Sequence, residues 1–132
     1  MLLSDKYPFL TEYFTRALST NVRALPQSIL FYGNDADAQF TFATEIARLL
    51  NCTSDKSDNC ECLNCRWIRE NSHPAVLTIS RIDNKPDDDD SKTVISIKQS
   101  QIIKEALVSA SEFHRVFIFC DRDENGNIAG LN

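Results

Sequence analysis

The stretch Ser28-Ile29-Leu30-Phe31-Tyr32-Gly33-Asn34-Asp35-Ala36-Asp37-Ala38-Gln39-Phe40-Thr41 decides the fold class. Residues 28–32 form a short apolar run stopped by Gly33, the pattern of a buried strand. Gly33 to Asp37 reads as a loop. Beyond it Phe40, Ala43, Ile46, Ala47 and Leu50 recur at helical spacing, which predicts an amphipathic helix over roughly Ala38 to Leu50. Strand, loop and helix in that order open an α/β unit.

Working outward, Leu10, Tyr13, Phe14, Ala17 and Leu18 place a helix over Pro8 to Thr20, with the proline in its first turn. Trp67-Ile68 suggests a short helix, and Ala75 to Ile79, introduced by His73-Pro74, a second strand. Ile102, Ile103, Ala106, Leu107 and Ala110 mark a helix over about Lys98 to Ser111. Val116-Phe117-Ile118-Phe119 closes on Cys120-Asp121, as a central parallel strand ending in a carboxylate does. Three strands alternating with helices predict a doubly wound parallel sheet with flanking helices. A cysteine-rich module at about 51–66 and an acidic loop at about 83–92 interrupt it.

The 132 residues suit one modest domain. No apolar stretch approaches the ~20 residues of a membrane span, and no secretory signal is visible, so the expected address is the cytoplasm. Fourteen basic residues face nineteen acidic ones, and four of the acids are the run Asp87 to Asp90. A self-sufficient nucleic-acid binder normally carries a basic excess, so direct DNA affinity is expected to be weak. The run itself reads as a solvated loop insertion.

The loop after the first strand stands where a P-loop would, but of G-x-x-x-x-G-K-[ST] only Gly33 matches. Ala38 replaces the second glycine, Gln39 the phosphate-binding lysine and Phe40 the hydroxyl that would hold magnesium. Asp35 and Asp37 add negative charge where a triphosphate needs positive charge. The plain alternative, an ordinary strand-to-helix connection, is favoured, and no ATP is expected to bind. Asp121, at the end of the last strand, is the residue that would hold magnesium in a nucleotide hydrolase. Without a phosphate partner, 120–124 reads as a solvated loop whose acids cap the next element. His73 and His114 lack any serine or cysteine elbow, so no catalytic residue is assigned.

Cys52, Cys60, Cys62 and Cys65 lie within fourteen positions. Cys62-Leu63-Asn64-Cys65 has the gap that turns two sulfurs toward one tetrahedral zinc, and Cys52 can complete the site. Cys60, separated from Cys62 by Glu61 alone, points away from it in an extended chain, so the backbone must turn for both to ligate; otherwise Asp58 or His73 substitutes. Four protein ligands make such a zinc structural rather than catalytic.

The order of these features resembles one family. The run Leu25 to Gly33, the degenerate loop, the cysteine group, His73-Pro74, the helix Ile97 to Leu107 and the strand Val116 to Asp121 are similar to the N-terminal AAA+ domain of the bacterial clamp-loader delta prime subunit, and more distantly to gamma/tau. The resemblance covers nearly the whole chain. It implies a P-loop NTPase-like parallel sheet with Asp121 at the Walker B position and a zinc-binding insertion on Cys52, Cys60, Cys62 and Cys65. It further implies a non-hydrolysing subunit of the DNA polymerase III holoenzyme that, with gamma/tau and delta, supports ATP-dependent loading of the sliding clamp onto primed DNA. Clamp and DNA are met only through the complex, and no membrane is involved. The alternatives are an active ATPase of the gamma/tau type and a small zinc-dependent nucleic-acid binding module. The family usually has two residues between its second and third cysteines, where this chain has Glu61. Its sensor strand, arginine finger, lid and collar have no counterpart up to Asn132. The expectation is therefore a domain cut after the Walker B strand, with an unpaired inner sheet edge and either marginal stability or completion by another contact.

Overall fold

The computed structural model of the chain describes residues 3–20, 25–85, 97–108 and 111–129. Helix α1 (Pro8–Thr20) is followed by α2 (Ala36–Asn51), α3 (Leu63–Arg69), strand β1 (Val76–Ile79), α4 (Ile97–Val108), strand β2 (Val116–Phe119) and the short strands β3 (Asp121–Arg122) and β4 (Ile128–Ala129). β1 and β2 pair in parallel, with Val76 opposite Val116 and Ile79 opposite Phe119, and β3 and β4 pair antiparallel. The chain is thus a mixed helix and strand fold with a short parallel sheet. The run Asp87 to Asp90, most of the acidic loop, Ala110 and residues 130–132 lie outside the described residues.

Helix α2 organises the packing because it is apolar on two sides. One side, Phe42, Ile46 and Leu49, buries against Phe14 and Leu18 of α1, with Tyr7, Leu25 and Phe31 at the margin. The other, centred on the fully buried Ala47, meets Ile68 of α3, Val76 of β1 and Ile118 of β2, with Phe40 and Ala43 alongside. A methyl-sized side chain at position 47 lets the helix lie close against the sheet. Asn51, the last residue of α2, holds this arrangement at its end. Its Oδ1 accepts from the His114 N–H at 2.9 Å, and its Nδ2 donates to the His114 carbonyl at 3.0 Å, fixing the entry to β2.

The first expected strand is corrected. Residues 28–32 join neither sheet, and among the described residues the parallel sheet has two strands, not three. Hydrophobicity alone does not make a strand; a neighbouring strand must take up its N–H and C=O groups. The run keeps a two-residue alternation. Phe31 packs inward, stacked on Phe42 with ring centroids 6.1 Å apart, while Leu30 and Tyr32 are 84% and 91% exposed. The reading of 120–124 as a loop of capping acids is also corrected. Residues 121–129 form a hairpin whose turn is closed by Asp123, which accepts from the N–H groups of Asn125 and Asn127, and by Gly126 at φ 83°. No helix of the described residues is long and apolar enough to cross a membrane.

Candidate functional site

The cysteine module is built between the end of α2 and the start of α3. Cys52 follows the last turn of α2 in an extended conformation, and Cys62 precedes α3 likewise, leaving Cys65 one turn into that helix. Between them the chain reverses at Ser57–Cys60, where the Cys60 N–H donates to the Ser57 carbonyl at 3.2 Å. That turn brings Cys60 to the same side as Cys62 despite the single intervening residue. All four sulfurs lie within 4.8 Å of one another, with Cys52 to Cys60 at 3.6 Å and Cys52 to Cys62 at 3.9 Å.

These separations fit a tetrahedral zinc. Metal–sulfur bonds of about 2.3 Å require sulfur–sulfur edges of about 3.8 Å. They are too long for a disulfide, and all five cysteines of the chain are free thiols. Burial pushes the Cys62 thiol up, but hydrogen bonds from Thr53 and Cys65 outweigh it and bring the group down to about 6. At Cys65 burial dominates and drives the thiol up to about 12.

Two arginines brace the module from its two helices. Arg48 of α2, fully buried, donates from Nη1 to the Ser57 carbonyl at 3.0 Å and to Cys65 Sγ at 3.3 Å. Its Nε and Nη2 grip the Glu45 carboxylate at 2.9 and 3.0 Å. Arg69 of α3 donates to the Cys60 and Asp58 carbonyls. The alternative ligand His73 is committed elsewhere. Its Nδ1 accepts from the Ala75 N–H at 3.0 Å, which makes Nε2 the protonated nitrogen donating to Asn64 Oδ1 at 2.9 Å. Asp58, half of whose side chain is solvent-exposed, faces Arg48 at 4.0 Å.

The loop before α2 is closed by its own carboxylate. Asp35 caps the helix, accepting from the Ala38 N–H at 3.1 Å, and also accepts from Lys6 Nζ and Tyr7 Oη at 2.6 Å each. The Lys6 and Tyr7 hydrogen bonds, with that of Ala38, hold the Asp35 carboxyl down to about 2. Phe40 turns into the packing between α2 and the sheet, and Gln39 lies within reach of Gly33, whose φ is 127°. Asp121 is gripped on both oxygens by Arg81, at 2.7 and 2.5 Å, and Arg122 grips Asp83 in the same two-pronged way. Gln99 of α4 is fully buried beneath these pairs and donates to the Ser80 and Asp83 carbonyls. The carboxyl ends of β1 and β2, where open α/β sheets usually take ligands, are therefore filled by two ion pairs.

A family model described as DNA polymerase III, delta subunit, matches residues 7–125. The chain belongs to that family. Comparison with curated proteins and with solved structures finds no match. Membership in the delta subunit family ties the chain to the DNA polymerase III machinery and to a clamp-loader-related role in a complex with other subunits. The matched span runs from just before α1 to the hairpin turn and includes the cysteine module and the Asp35 loop.

Within this family member, sequence reasoning named the four cysteines but missed what holds them. Arg48 lies on the polar-looking side of an amphipathic pattern, where a solvated role is the default. Spacing offered one signal: Arg48 stands one helical turn before Cys52, so it shares the face that carries the module.

Proposed function

We propose that this chain is a non-hydrolysing, delta prime-type AAA+ component of the clamp loader, acting through contact with gamma/tau and delta, and that Cys52, Cys60, Cys62 and Cys65 hold a structural zinc. Clamp and primed DNA are reached through the assembled complex. The observation that carries the non-hydrolysing part is Asp35. Its carboxylate occupies the N-terminus of α2, the position at which a nucleotide-binding loop presents its amides to phosphate. An anion already held by Ala38, Lys6 and Tyr7 repels a second one. Ala38, Gln39 and Phe40 in place of the glycine, lysine and hydroxyl support the same reading, as does the engagement of Asp121 by Arg81.

Zinc here supplies a cross-link: four thiolates on one ion tie α2 to α3 and leave no open coordination position for substrate. The sulfur geometry supports it. Two experiments test the proposal. Calorimetry with ATP and magnesium is expected to show no binding, and mixing with gamma/tau and delta to yield a stable complex on gel filtration. Magnesium-dependent phosphate release that disappears in D121N would establish the active-ATPase alternative instead.

A further inference from the structure

We infer that Arg48 is a positioning residue for the metal centre, balancing the charge of the four thiolates and fixing the Cys65 sulfur through a direct hydrogen bond. The inference rests on the zinc reading above. A fully buried guanidinium is costly unless its charge and donors are satisfied. Glu45, itself buried, meets that need along one edge of the group, through Nε and Nη2. The other edge is directed at the module, with Nη1 between the Ser57 carbonyl at 3.0 Å and Cys65 Sγ at 3.3 Å.

A neutral thiol is a weak acceptor, whereas a metal-bound thiolate is a charged and strong one. Four thiolates around a divalent cation carry a net double negative charge in a partly buried place, and Arg48 is the cation set against a sulfur there. Only a planar fork can serve Glu45, the loop carbonyl and the sulfur together; a lysine restores the charge without that geometry. Arg48 therefore joins three parts of the module: the rigid α2, the 53–60 loop through Ser57, and α3 through Cys65.

The test uses the reduced full chain as wild type, R48M and R48K. Each is titrated with zinc against a chromophoric chelator and with cobalt(II), whose sulfur-to-metal charge-transfer band reports on the thiolates. Wild type is expected to bind about one ion per chain with a tetrathiolate spectrum. R48M is expected to keep its helical circular dichroism, to bind roughly 10–100-fold more weakly, and to show the charge-transfer band at lower energy, because a sulfur freed of its hydrogen bond gives up an electron more readily. R48K should recover part of the affinity and part of the band position. Wild-type affinity and an unshifted band in R48M would overturn the inference. Should R48M not fold, the same result in R48K overturns it. A wild-type chain that takes up no metal removes the zinc reading itself, so the two failures are told apart by the wild-type arm.

Discussion

His73 shows how much a single side chain can settle. Its ring lies edge-on between Trp67 and Phe113, buried, with one nitrogen accepting from backbone and the other donating to Asn64. The bond accepted at Nδ1 requires the neutral ring, and burial lowers its pKa below the ordinary 6.5. The unfolded chain therefore takes up a proton near that value while the folded chain resists it. The stability this contributes is complete above about pH 6.5 and is lost as the pH falls below it. Urea melts of the metal-free chain are expected to weaken as the pH falls below about 6.5, and to weaken less in H73Q. Asp35 acts at the acid end: its lowered carboxyl contributes stability above the ordinary carboxylate range, lost as the pH falls toward about 2. D35N, which keeps a capping side chain but loses the attraction to Lys6, should flatten the melting profile between about pH 4 and 2. If the module holds zinc as proposed, C62S and C65S are each expected to abolish its stoichiometric retention on dialysis, since each removes one of the four clustered sulfurs.

At the scale of elements, the helices were legible and the pairings were not. The period of Leu10, Tyr13, Phe14, Ala17 and Leu18 gives α1 at its observed bounds, and Phe40, Ala43 and Ala47 mark the side of α2 that meets the sheet. What a single-face reading of α2 misses is Phe42 and Leu49, because a helix buried on two sides has no one apolar stripe to find. The hairpin at 121–129 was invisible for a different reason. Two-residue strands carry no period, and only the turn chemistry of Asp123, Asn125 and Gly126 announces them. In the cysteine module the ligand types were readable from spacing, whereas the turn at Ser57–Cys60 that unites them, and the arginines that hold it, depend on contacts across the chain. Phe42 gives the sharpest test of the two-sided helix. It is 2% exposed and meets Tyr7, Phe14 and Phe31, so F42A is expected to cost about 3–5 kcal/mol in urea unfolding. An equally large loss from A47L, by overpacking the opposite side, would show that both faces of α2 are filled.

Over the whole molecule, residues 28–32 separate packing from pairing. An extended run alternates its side chains between two faces, and here one face is used and the other is not. Phe31 closes an aromatic group with Phe14 and Phe42, at centroid separations of 6.0 and 6.1 Å, so the run is anchored to α1 and α2. Leu30 and Tyr32 face outward, and exposed Phe9 and Tyr13 add further apolar surface on α1. Side chains that bury nothing have nothing to lose when changed, so L30K and Y32K should leave the urea midpoint within about 0.5 kcal/mol of wild type. F31A, by contrast, removes a packed ring and should lower stability clearly. Exposed apolar surface on a run that joins neither sheet among the described residues also promotes association between copies. The double variant L30K/Y32K is therefore expected to reduce concentration-dependent light scattering while its melt stays unchanged. If the double variant instead melts well below wild type, Leu30 and Tyr32 are packed in solution, and the run is covered by another part of the protein or a second copy.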